Sequence, residues 1–141
     1  MPTRGKHPDL LVDTSVAVAL VVADHEHHLQ TVKAIGHRQL GLAGHAAFET
    51  FSVLTRLPSP VRRPPHVVAR LLAENFSENR YLSPARAEQL IETLGKAGIA
   101  GGSVYDALVG MTAIENHLKL ATRDQRALVT YRALQVDVEV L

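Results

Sequence analysis

What most restricts the fold of this chain is a series of very short apolar runs, each leading into a longer helical pattern. Residues 10–12 (LLV) are apolar at every position and stop at Asp13. A run that short and that uniformly apolar fits a strand buried on both faces, as in a parallel sheet covered by helices. Residues 41–43, 80–82 and 119–122 are expected as further short strands, and the alternating residues 136–140 as a last one. Helices are expected between them. One covers 15–23, and a second covers 25–38 with Leu29, Val32 and Ile35 as its buried stripe. A third covers 45–57 with Ala47, Phe48, Phe51 and Leu54 inward, followed by one over 67–74. Ser83-Pro84 reads as an N-cap and first-turn proline for a helix ending near Lys96, and residues 103–117 and 124–131 form the last two. Strands alternating with helices predict an α/β fold: a mostly parallel central sheet of four to five strands with helices on both faces, an α-β-α sandwich.

The 141 residues are about one domain's worth of chain, so one domain over 1–141 is expected, with 1–8 as a flexible lead-in. Four of the seven prolines fall in residues 58–65, which should form a stiff loop. Fifteen basic against fourteen acidic side chains leave no general cationic field, so any nucleic-acid surface must be local. Aromatics at 4%, without tryptophan, argue against a base-stacking platform. The absence of cysteine excludes thiolate metal sites and thiol catalysis. Asp13, Thr14 and Ser15 interrupt the apolar stretch near the N-terminus, against a signal peptide. No apolar run reaches the ~20 residues that span a bilayer. A cytoplasmic protein is expected.

Ligands of open α/β sheets bind beyond the carboxyl ends of the strands. Four acids are expected there: Asp13 after the first strand, Glu49 in the helix after the second, Asp106 near the start of the helix after the glycines, and Asp124 after the 119–122 strand. Taken singly, such an acid is more often a helix cap or turn former. Taken together, four carboxylates in one cleft repel, since two charges ~4 Å apart cost about 4 kcal/mol at an effective dielectric of ~20. They need protons or a cation. Oxygen-only ligands suit Mg²⁺, with Mn²⁺ as the alternative. Paired divalent ions suit phosphoryl transfer, one activating water and the other stabilising the leaving oxygen.

The same residues resemble the motifs of a known family. Residues 11–15 (LVDTS) resemble the opening motif of PIN-domain ribonucleases, and 45–56 (HAAFETFSVLTR) the second, with Glu49. Residues 103–113 (SVYDALVGMTA) are similar to the third, with Asp106, and 121–127 (ATRDQRA) to the fourth, with Asp124. The compact arrangement looks most like VapC toxins of toxin–antitoxin pairs. The resemblance implies a Mg²⁺-dependent endoribonuclease, held inactive by a cognate VapB-type antitoxin, acting on RNA and commonly dimeric. It implies Asp13 and Asp106 as leading metal ligands, with Glu49 and Asp124 completing the acidic pocket. Thr14, Ser15 and Thr122 would position the carboxylates or a phosphate oxygen. Cleavage would leave a 5′-phosphate and a 3′-hydroxyl, and Asp13→Asn would abolish it.

Other features weigh less. Arg56, Arg62 and Arg63, with His66 and Arg70, surround the proline loop and form a candidate RNA-binding patch or an ordinary charged surface. His25, His27 and His28 lack a second ligand pair at zinc-site spacing and are expected as a solvated helix start. A dehalogenase-type phosphatase needs an acid where Ser15 stands, and no P-loop occurs. The alternatives left open are a non-cleaving RNA- or protein-binding module on the same fold and a metal-dependent phosphatase on a similar scaffold.

Overall fold

The computed structural model describes residues 7–141; residues 1–6 of the expected lead-in lie outside them. In chain order the elements are β1 (Leu10–Val12), α1 (Thr14–Val21), α2 (His28–Ile35), β2 (Leu40–Leu42), α3 (His45–Thr55), α4 (Pro65–Asn75), α5 (Pro84–Ala97), α6 (Ser103–Glu115), β3 (Leu120–Thr122), α7 (Gln125–Ala133) and β4 (Val138–Val140). The strands lie in the order β2-β1-β3-β4 and every pairing is parallel. Leu10 faces Leu40, and Leu11 faces Leu120. The chain leaves β1 toward β2 on one side and returns to β3 on the other, so the strand order reverses at β1, where such sheets form their ligand crevice.

The triplet strands are apolar throughout because both faces are covered. Side chains alternate across a strand. Leu10 and Val12 join Val16, Leu42, Leu54, Val68, Leu72 and Phe76 on one face. Leu11 joins Leu120, Val109, Ala113, Ala127 and Tyr131 on the other. Helix α5 packs outside α6 through Leu90, Leu94 and Ala107.

Four expectations need correction. Residues 80–82 do not form a strand: only an isolated bridge joins Ala43 to Arg80. The backbone N–H of Leu42 is taken by the Asn79 side chain at 2.8 Å, which replaces a ladder bond. Gly41 lets this segment close in, because a β-carbon there would lie 2.0 Å from the Glu78 carbonyl oxygen. Two residues past Tyr81, Ser83 already begins α5. Helix α2 starts at His28 rather than His25, since the His25 ring accepts the His27 N–H at 3.0 Å and diverts it from helix formation. Its buried stripe is Thr31 and Ile35, whereas Leu29 and Val32 are exposed. In α3 the buried stripe is Ala46, Ala47, Thr50 and Leu54, which turns Phe48 outward.

The start of α5 follows its expected chemistry. Ser83 Oγ accepts the Arg86 N–H at 3.3 Å and donates to Glu115 Oε2 at 2.5 Å, and Pro84 occupies the first turn. The Ser83 contacts hold the Glu115 carboxyl below its ordinary range. Ser83→Ala should lower stability by ~1 kcal/mol, read as a Tm decrease in thermal denaturation.

Candidate active site

The carboxyl ends of β1 and β3 are neighbours in the sheet. Asp13 follows β1 directly and caps α1, and Asp124 follows β3 by one residue and caps α7. Helix α3, entered from β2, presents Glu49 in its second turn, and the first turn of α6 presents Asp106. These four acids, from four separate parts of the chain, line one cavity of about 190 Å³ together with Thr14, Ser15, Val109 and Tyr131. Glu49, Asp106 and Asp124 also border an adjoining depression of about 540 Å³, whose other walls are His45, Gly102, Ser103, Tyr105 and Arg126.

Asp13 is the most enclosed of the four, at 4% exposure. Its Oδ1 accepts from Ser15 Oγ at 2.5 Å and from the Val16 N–H at 3.3 Å, and its Oδ2 accepts from the Tyr131 hydroxyl at 2.9 Å. Burial pushes the Asp13 pKa up, opposed by the bonds from Ser15, Thr122, Tyr131 and the Val16 N–H. Asp106 is pushed up to about 6, first by burial and then by the charges of Asp124, Glu49 and Asp13; Arg126 pulls it back. That arginine is almost fully exposed and stands 4.0 Å from Asp124 Oδ1. Among the described residues, the site therefore holds four acids against one loosely placed cation. Burial, Asp13, Asp106 and Asp124 all push the Tyr131 hydroxyl above its ordinary range, so it stays a donor.

The hydroxyl groups near the acids divide by role. Ser15 Oγ bridges Asp13 and the Arg123 N–H, which it accepts at 2.9 Å. Thr122 bonds Asp13 and accepts the Asp124 N–H at 3.1 Å. Thr14 Oγ1 donates to the Ala46 carbonyl at 3.4 Å and accepts from Thr50 at 3.2 Å, tying α1 to the helix that carries Glu49.

Arg56, Arg62 and Arg63 do not border the acidic cavity. Arg56 closes α3, Arg62 Nε donates to the Leu57 carbonyl at 2.7 Å, and Arg63 lines a separate groove with Val21, Val22, Leu54 and Leu71. The sequence reading missed Tyr131 and Arg126. Tyr131 had a signal, seven residues after Asp124 and so on the same face of a helix; Arg126 had none.

Among the described residues, no three His, Asp or Glu side chains close tightly enough to enclose an ion; the carboxylates line the cavity wall. In chemistry the donor set suits a hard divalent cation: oxygen donors alone, with negative charge in excess. Asp106, raised first by burial, is raised further by the three neighbouring acids.

Comparison with known proteins follows the same lines. The family profile described as PIN domain matches residues 10–133. The chain is 48% identical to Ribonuclease VapC27 of Mycobacterium tuberculosis, over 94% of this chain and 97% of that protein. Its fold is similar to VapBC2 from Rickettsia felis, crystallised bound to a DNA fragment from their promoter, with a TM-score of 0.66 at 12% identity over 94% of this chain and 98% of the other. It is also similar to M. tuberculosis VapC20, described as a sarcin-ricin loop cleaving toxin, with a TM-score of 0.65 at 20% identity over 85% and 93% of the two chains.

Proposed function

The chain belongs to the PIN-domain family, among the VapC ribonucleases, and from that premise we propose that its acidic cavity is where a divalent cation supports the hydrolysis of RNA. The protein is an endoribonuclease toxin that a cognate VapB-type antitoxin neutralises. The observation that carries the site assignment is the convergence of Asp13, Glu49, Asp106 and Asp124 on one cavity, with Asp106 pushed up to about 6 by burial and then by the other three. We take Mg²⁺ as the ion, with Mn²⁺ as the alternative. Asp13 and Asp106 would be its leading ligands, and Glu49 and Asp124 would complete the shell directly or through water. When bound, the ion would supply Lewis-acid activation of water and offset charge on the phosphodiester.

The chain's own residues do the rest. Ser15, Thr122 and Tyr131 fix the Asp13 carboxylate, and Thr14 joins the helices that carry Asp13 and Glu49. With water as the nucleophile, no 2′-hydroxyl attack and no histidine base would be needed, and the products would carry a 5′-phosphate and a 3′-hydroxyl. We further propose that residues 1–141 act as one domain, in the cytoplasm, as a homodimer that assembles with its antitoxin. No helix among the described residues is long and apolar enough to cross a membrane. Arg56, Arg62 and Arg63, set apart from the cavity, are proposed only as contacts for RNA beyond the cut.

The test is cleavage of cellular RNA with 5′-end mapping. Excess EDTA should abolish cleavage, Mg²⁺ or Mn²⁺ should restore it, and the new 5′ ends should ligate as phosphates. Full cleavage in EDTA would remove this mechanism. Tight RNA binding with no cutting under any metal would favour the non-cleaving module.

A further inference from the structure

Six aromatic residues in 141 are too few to build a stacking surface if they are spread evenly. They are not. Three of the six, Phe48, Tyr81 and Tyr105, are more than half exposed. Tyr105 stacks on the His45 ring with centroids 4.7 Å apart and 22° between planes. Both rings wall the depression that adjoins the acidic cavity. His45 opens α3 one turn before Glu49, and Tyr105 directly precedes Asp106 in α6. The two rings therefore ride on the helices that deliver two of the four acids. Phe48, at i+3 from His45, continues the row on α3 and meets Tyr81 at 6.2 Å.

We propose that the His45–Tyr105 pair is a nucleobase subsite, holding one unpaired base of the RNA beside the cleavage site. This rests on the ribonuclease reading above. His45 covers one face of Tyr105 and holds the ring in place, and the residue's 52% exposure leaves contact area for a planar guest. The surroundings favour a base over an apolar side chain. The depression is walled by Glu49, Asp106, Asp124, Ser103 and Arg126, whereas a hydrophobic anchor fits a desolvated apolar pocket. A nucleobase combines a stacking face with a polar edge, and stacking tolerates any base.

The experiment measures binding of a short fluorescein-labelled single-stranded RNA spanning a mapped cut site, with Asp106→Asn in every protein to prevent cleavage. Adding Tyr105→Ala should weaken binding about tenfold, whereas adding Tyr105→Phe, which keeps the ring, should restore it. The salt dependence should stay the same, because stacking displaces no counterions. RNAs with single abasic positions supply the decisive readout. One position near the cut should weaken binding to the Tyr105 protein about tenfold and add no further loss to the Tyr105→Ala protein. An equal abasic penalty in both proteins overturns the subsite. So does loss of a dimer in Tyr105→Ala with RNA affinity unchanged, which would assign the rings to a second copy of this chain. A protein with intact acids that cuts no RNA in any metal overturns the ribonuclease reading and the subsite with it. If that protein cuts and its Tyr105→Ala variant has the same KM, the subsite alone fails.

Discussion

Asp106→Asn is expected to abolish RNA cleavage and, at neutral pH without metal, to make the protein more stable. The loss of activity should be at least about a thousandfold, the upper scale for removing one preorganised group that stabilises charge in a transition state. The gain in stability follows from burial of the charged carboxyl and from repulsion by Asp124, Glu49 and Asp13. Asp106 sits at about 6 in the folded protein against 3.8 for an ordinary aspartate. Between those values the folded state binds more protons than the unfolded one, so stability falls as pH rises through this window. The full displacement is worth ~3 kcal/mol at 1.36 kcal/mol per pH unit. The carboxyl is only half-buried, and solvent screening reduces the expected gain to ~1 kcal/mol. Asp13, also raised, acts in the same direction. Thermal melts in EDTA at pH 7 should place the variant ~3 °C above the unmodified protein, with the difference vanishing near pH 4. Adding Mg²⁺ should reverse the order, since ligand binding stabilises only the protein that retains the site. A variant that is less stable at pH 7 in EDTA would mean that Asp106 is paired rather than repelled. Asp106 serves this test better than Asp13, whose carboxylate also caps α1 and accepts the Tyr131 hydroxyl.

How much of this was legible in the sequence depended on the range of the interaction involved. The triplet strands, the Ser83 cap and the acids beyond the strand ends are local signals: a few consecutive residues and one periodicity encode each. Whether residues 80–82 pair as a strand depended instead on Asn79 reaching Leu42 and on Glu78 passing over Gly41, contacts across more than thirty residues. The burial of Phe48 was misjudged because apolarity alone does not give a helix's rotation; the alanines and Thr50 of α3 face the sheet and turn the larger ring out. The low aromatic count pointed away from stacking for a similar reason. A composition is an average, and the structure concentrates exposed rings along α3 and the start of α6.

Tyr131→Phe should weaken divalent-cation binding by about 10- to 100-fold, the usual range when a partner that orients a metal ligand is lost. The hydroxyl donates to Asp13 Oδ2 and does not ionise, because burial and three carboxylates push it upward. It acts only as a fixed donor that sets the direction of one carboxylate oxygen. Phenylalanine keeps the ring, on which α6 packs closely at Gly110: a β-carbon added there would lie 3.3 Å from the tyrosine ring. The substitution therefore separates packing from orientation. Mn²⁺ titration calorimetry on the metal-free protein reads the affinity directly, and saturating metal should recover most of kcat. A residue that merely filled the core would leave the metal affinity untouched when replaced by phenylalanine, whatever happened to Tm. An unchanged Mn²⁺ affinity would thus reduce Tyr131 to packing, and Asp13 would then owe its orientation to Ser15, Thr122 and the Val16 N–H alone.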